Sequence, residues 1–115
     1  MKRLLLVEDD PILRRALGRH LARGGGWTVV AVHAVEDALR ELAAGGFAVV
    51  LTDLDLEPEH RGGLRVVRAC WEVKVPVVMM SGDYRNVPRS ELPSARLEKP
   101  FELGVLDRLL EDVCE

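Results

Sequence analysis

Short, unbroken apolar runs at residues 4–7 (LLLV), 47–52 (FAVVLT) and 76–80 (PVVMM) constrain the fold most. A strand buried on one face alternates apolar and polar residues. A run with no polar break suits a strand covered on both faces, as in a parallel sheet. Residues 28–32 (TVVAV) add a second strand, and residues 96–98 allow a short fifth. Between the runs lie stretches with helical spacing. Asp10-Pro11 reads as an N-cap with proline at the first helical position. Ile12, Leu13, Ala16, Leu17 and Leu21 then recur on one face, and Gly24-Gly25-Gly26 ends the helix. Residues 36–44 turn Ala38, Leu39 and Leu42 inward, and Gly45-Gly46 stops them. A third helix carries Leu64, Val67, Cys70 and Trp71 inward. The last carries Phe101, Val105, Leu106, Leu109, Leu110 and Val113. Repeated strand–helix units predict an α/β fold, a doubly wound five-stranded parallel sheet with right-handed crossovers.

The chain has 115 residues and a formal net charge of -3, which suits one domain without a general nucleic-acid-binding face. Arg14, Arg15, Arg19 and Arg23 are interleaved with apolar residues and read as the wet side of a helix. Cys70 and Cys114 match no metal or redox spacing, so a reducing cytosol is the simpler setting. The run at residues 4–7 is too short for a signal peptide and ends in acids. No stretch approaches a membrane span. A cytoplasmic protein is expected.

In such sheets ligands collect beyond the carboxyl ends of the strands. Here those ends carry Glu8-Asp9-Asp10, Asp53 with Asp55 close by, Ser81-Gly82, and Lys99-Pro100-Phe101. Singly each has an ordinary explanation: Asp10 and Asp83 as N-caps, Lys-Pro as a turn, Ser-Gly as a loop. Jointly they place several carboxyls, a hydroxyl and an ammonium in one cleft. Crowded carboxylates repel one another, and a divalent cation relieves that repulsion. Oxygen ligands suit Mg²⁺ or Ca²⁺, and room for water and phosphate oxygens suits Mg²⁺ better. A carboxylate can also be a nucleophile that forms an aspartyl phosphate.

These blocks, LLLVEDD, VVLTDL, VVMMSG and LEKPF, resemble the response-regulator receiver family over essentially the whole chain. The resemblance implies a flavodoxin-like receiver with strand order 2-1-3-4-5 and a single receiver domain over residues 1–115, with no output domain. It implies Asp53 as phosphoacceptor, Ser81 as the responding hydroxyl and Lys99 as the phosphoryl partner. Asp9 would be the main Mg²⁺ carboxylate, with Glu8 beside it binding directly or through water, Asp53 also ligating, and Asp55 giving its backbone carbonyl. It implies a cis Lys99–Pro100 bond. The expected partners are a sensor histidine kinase or histidine phosphotransfer protein and a downstream protein target, with no direct nucleic acid or membrane contact. The protein is expected as a monomer or weak dimer that catalyses its own phosphorylation and dephosphorylation, with Asp55 and Asp83 positioning the hydrolytic water.

Departures from the family pattern accompany the likeness. The loop 57–62 is longer than usual. The segment between Ser81 and Lys99 is shorter and holds Pro88 and Pro93, so a fourth helix is expected to be short or degenerate. Arg96 stands where a switching aromatic is common. Two alternatives remain: a receiver-like interaction module that is never phosphorylated, and a phosphatase of the haloacid dehalogenase type, whose acidic pair Asp53-Leu54-Asp55 mimics. His20 reads as a solvated surface residue, and His33 and His60 sit in predicted loops where metal binding is not expected.

Overall fold

The computed structural model describes residues 2–82 and 92–114. Five strands alternate with four helices among them: β1 (Arg3–Val7), α1 (Pro11–Arg23), β2 (Thr28–Val32), α2 (Val35–Ala44), β3 (Val49–Asp53), α3 (Gly63–Val73), β4 (Val77–Ser81), β5 (Ala95–Glu98) and α4 (Leu103–Val113). The strands form one all-parallel sheet in the order β2-β1-β3-β4-β5, as the family likeness implies. The segment where a reduced helix was expected falls largely on residues 83–91, outside the described residues.

The apolar runs are buried on both faces because the sheet carries helices on both. Successive strand residues point to opposite sides. In β1, Leu5 and Val7 enter a core with α2 and α3, while Leu4 and Leu6 enter one with α1 and α4. All four are fully buried.

The helix starts and stops follow local chemistry. The Asp10 carboxylate accepts the Ile12 amide at 2.9 Å, ahead of Pro11. Gly45 ends α2 at φ 83, a conformation open to glycine at little steric cost.

Some inward assignments fail. Ile12 is 81% exposed and Ala16 is exposed, since α1 buries only Leu17 and Leu21 fully. Trp71 is 56% exposed, because the buried face of α3 runs through Val66, Val67 and Cys70 instead. Its indole N–H donates to the Leu92 carbonyl at 2.8 Å. Val105 also faces outward.

His20 departs from its surface reading. Its ring nitrogen lies 2.9 Å from the Asp107 carboxylate, joining α1 to α4. No helix among the described residues is long and apolar enough to cross a membrane.

Candidate phosphoacceptor site

Register brings the site together. Val7 stands opposite Thr52, Asp53 opposite Met80, and Ser81 opposite Glu98, so four parallel strands end along one edge. Glu8 follows β1 directly, Asp53 closes β3, Ser81 closes β4, and Lys99 follows β5. Backbone hydrogen bonds extend the pairing past the strands. The Leu54 amide donates to the Met80 carbonyl at 3.0 Å and the Lys99 amide to the Ser81 carbonyl at 3.0 Å.

Carboxylate oxygens of Glu8, Asp9 and Asp53 lie within 4.8 Å of one another. The Lys99 ammonium sits 3.1 Å from Glu8 Oε1 and 3.1 Å from Asp53 Oδ2. The sequence reading therefore required Lys99 to reach Asp53, and it does. Ser81 is almost fully buried at the same edge. The Lys99–Pro100 bond is cis. Asp55 is set apart: its side chain is exposed, accepts the Arg61 amide at 2.9 Å and lies 3.4 Å from a His60 ring nitrogen.

Supporting contacts fix the acids. The Asp10 amide donates to Glu8 Oε2 at 3.1 Å. Arg14 donates to the Glu8 carbonyl at 2.8 Å, so it is not simply a wet-face residue. The Glu57 amide donates to Asp9 Oδ2 at 3.0 Å. The 57–62 loop thus holds a carboxylate of the cluster. Arg65 secures that loop, 2.7 Å from Glu59 and 3.0 Å from Glu36. Sequence reasoning missed Arg14, Arg65 and the Glu57 amide. The unusual loop was a signal, but its partners depend on tertiary placement.

The electrostatics follow from burial and neighbours. Burial pushes the Glu8 carboxyl up to about 7; the Asp10 amide opposes this, the Asp53 carboxylate adds to it and Lys99 opposes it. Burial also pushes Asp9 up, but the Glu57 amide, its contacts with Glu8 and its own amide, and Lys99 hold it below the usual carboxylate range. For Lys99, burial works against the charge, yet Asp53 and Glu8 reverse this and leave the ammonium above its ordinary value. The cluster is thus short of positive charge. A purely carboxylate donor set in that condition suits a hard divalent cation such as Mg²⁺.

Residues 4–110 match the family model described as the response regulator receiver domain. The chain belongs to this family.

Among receiver relatives, the response regulator protein FleR of Pseudomonas aeruginosa is 36% identical over 111 residues. That alignment takes in 90% of this chain but 23% of FleR, so the chain spans about a quarter of that relative's length. A response regulator receiver protein from Sinorhizobium medicae has a similar structure, with TM-score 0.85, 28% identity, and coverage of 98% of this chain and 94% of that one. The receiver domain of a sensor histidine kinase from Pseudomonas aeruginosa also superposes, with TM-score 0.85, 23% identity, and coverage of 98% and 97%. That crystal structure holds a magnesium ion in its active-site cleft.

Proposed function

We propose that this receiver domain is a phosphoacceptor switch of a two-component or phosphorelay pathway, taking a phosphoryl group onto Asp53. The observation that carries this reading is the Lys99 ammonium bridging Asp53 and Glu8 at 3.1 Å each, beside Asp9. The donor is a phosphohistidine on a sensor histidine kinase or a histidine phosphotransfer protein. An Asp53 carboxylate oxygen attacks phosphorus, a P–O bond forms, and the P–N bond breaks to release the imidazole. Lys99 neutralises charge on the transferring group. The buried Ser81 hydroxyl donates to a phosphoryl oxygen and carries the change into the β4 end. Added charge near -2 at neutral pH then shifts the surrounding loops between two states that a downstream protein reads.

Mg²⁺ is the cofactor this donor set fits. Glu8, Asp9 and Asp53 would hold it through carboxylates and Asp55 through its backbone carbonyl. When bound, the ion supplies positive charge that offsets the crowded acids and the phosphoryl oxygens. Water hydrolyses the acyl phosphate in the reverse phase, so the domain catalyses both its own modification and its reset. Asp55 would help position that water by turning its carboxylate from the Arg61 amide and His60 toward the cleft. Asp83, expected to share the task, lies outside the described residues.

Asp53→Asn tests the reading with a small phosphodonor and Mg²⁺. Wild-type protein should acquire a base-labile, acid-stable phosphate, and the variant should acquire none. Equal incorporation by the variant would refute Asp53 as acceptor. Folded wild-type protein that takes up no phosphate and does not respond to Mg²⁺ would favour a receiver-like interaction module.

A further inference from the structure

A groove of about 490 Å³ runs between α1 and β2, from Pro11 and Arg14 at its end near the carboxylate cluster to Arg23 at the other. Arg15, Arg19 and Arg23 line it at four-residue spacing, while Gly18, Val29 and Ala31 form low walls. A Cβ on Gly18 would meet nothing within 4 Å, so open space lies above this position.

Three of the groove's four arginines have no acidic partner among the described residues. Arg40 pairs with Asp37, Arg65 with Glu36 and Glu59, and Arg3 with the Gly45 carbonyl. The groove arginines Arg15, Arg19 and Arg23 form no salt bridge among the described residues. Three exposed guanidinium groups thus sit together on a chain whose formal net charge is -3.

The other wall is a sheet edge. Among the described residues β2 pairs with β1 alone, so its outer side offers backbone donors and acceptors that the sheet does not use. An extended peptide can satisfy such groups by adding as a strand. A phosphodiester backbone has no amide N–H groups to pair with the carbonyls of that edge. The repeats also match. Residues four apart on a helix are separated by about 6 Å along the axis. Alternate residues of a strand are separated by about 6.6 Å. An extended chain beside β2 can therefore set every second side chain against successive arginines of α1.

We propose that this groove docks an extended segment of a partner protein with acidic side chains at alternate positions. Arg15, Arg19 and Arg23 do not touch the carboxylate cluster, whereas Arg14, a fourth arginine of the groove, donates to the Glu8 carbonyl at its near end.

The test is fluorescence anisotropy with the folded chain and a labelled peptide of sequence Val-Glu-Val-Glu-Val-Glu-Val. A second peptide has the same composition with its glutamates consecutive, and a short DNA duplex serves as competitor. The alternating peptide should bind more tightly than the clustered one. Arg19→Glu should weaken it about tenfold or more, and Arg19→Gln should weaken it less. Circular dichroism confirms that both variants fold, and both should still be phosphorylated on Asp53. The proposal is overturned by equal binding of the two peptides, by Arg19→Glu binding like wild type, by efficient competition from the duplex, or by no binding of either peptide.

Discussion

At the scale of single residues, Glu8 carries the most consequential environment. It is fully buried, beside Asp53, and its carboxyl is pushed from 4.5 up to about 7. A raised folded-state value means that the folded protein binds the proton more tightly than the unfolded chain. The resulting stability is fully present below pH 4.5 and is lost as pH rises through about 7. The rise corresponds to roughly 3 kcal/mol. Without Mg²⁺, urea denaturation should therefore show lower stability above that range than at mildly acid pH, and Glu8→Gln should flatten the difference. An unchanged slope in Glu8→Gln would remove Glu8 as its source. Gly63 makes a different demand. A Cβ there would overlap the Asp53 carbonyl oxygen and stand 2.8 Å from Leu54 Cα, both backbone atoms that cannot swing aside. Gly63→Ala should cost about 1–3 kcal/mol by overpacking, measurable by thermal or urea unfolding.

At the scale of elements, the 57–62 loop joins packing to the cluster. Arg65 on α3 holds Glu59 and Glu36, and the same loop gives the Glu57 amide to Asp9. Exposed ion pairs contribute little to stability, so Arg65→Ala should leave the melting temperature almost unchanged. Its effect should fall on Mg²⁺ affinity instead, weakened up to about tenfold by calorimetry, because Asp9 loses an orienting partner. Partial recovery in Arg65→Lys separates charge from fork geometry. Helix identities were legible in the sequence because caps and stops are local: Asp10-Pro11 and Gly45 act on their own neighbours. Helix faces were less legible. Trp71 follows Leu64 and Val67 at helical spacing, which suggests burial on their face. The burial pattern through Val66, Val67 and Cys70 turns it outward instead. His20 went the other way, since its partner Asp107 lies 87 residues along the chain and no local pattern announces it.

At the scale of the whole molecule, the cluster was readable because a parallel sheet brings the carboxyl ends of its strands to one edge. Glu8, Asp9, Asp53 and Lys99 needed only the strand assignments to meet. The contacts that orient them did not follow, because Arg14 and the Glu57 amide reach the cluster through tertiary packing. Binding of Mg²⁺ to folded protein alone should raise stability by mass action, about 2.7 kcal/mol at a hundredfold excess over Kd. The gain should shrink as pH falls through about 7, since a protonated Glu8 is a poor ligand. A pH-independent gain in denaturation experiments would mean that Glu8 does not take part.

The alternation in β1 has a further consequence. Leu5 and Val7 serve one core, Leu4 and Leu6 the other, and the sheet backbone separates the two. Side chains in the α2–α3 layer can thus be exchanged in evolution or in the laboratory without repacking the α1–α4 layer. Each face can diversify toward its own partners, while the backbone that aligns Asp53 with Lys99 keeps its shape.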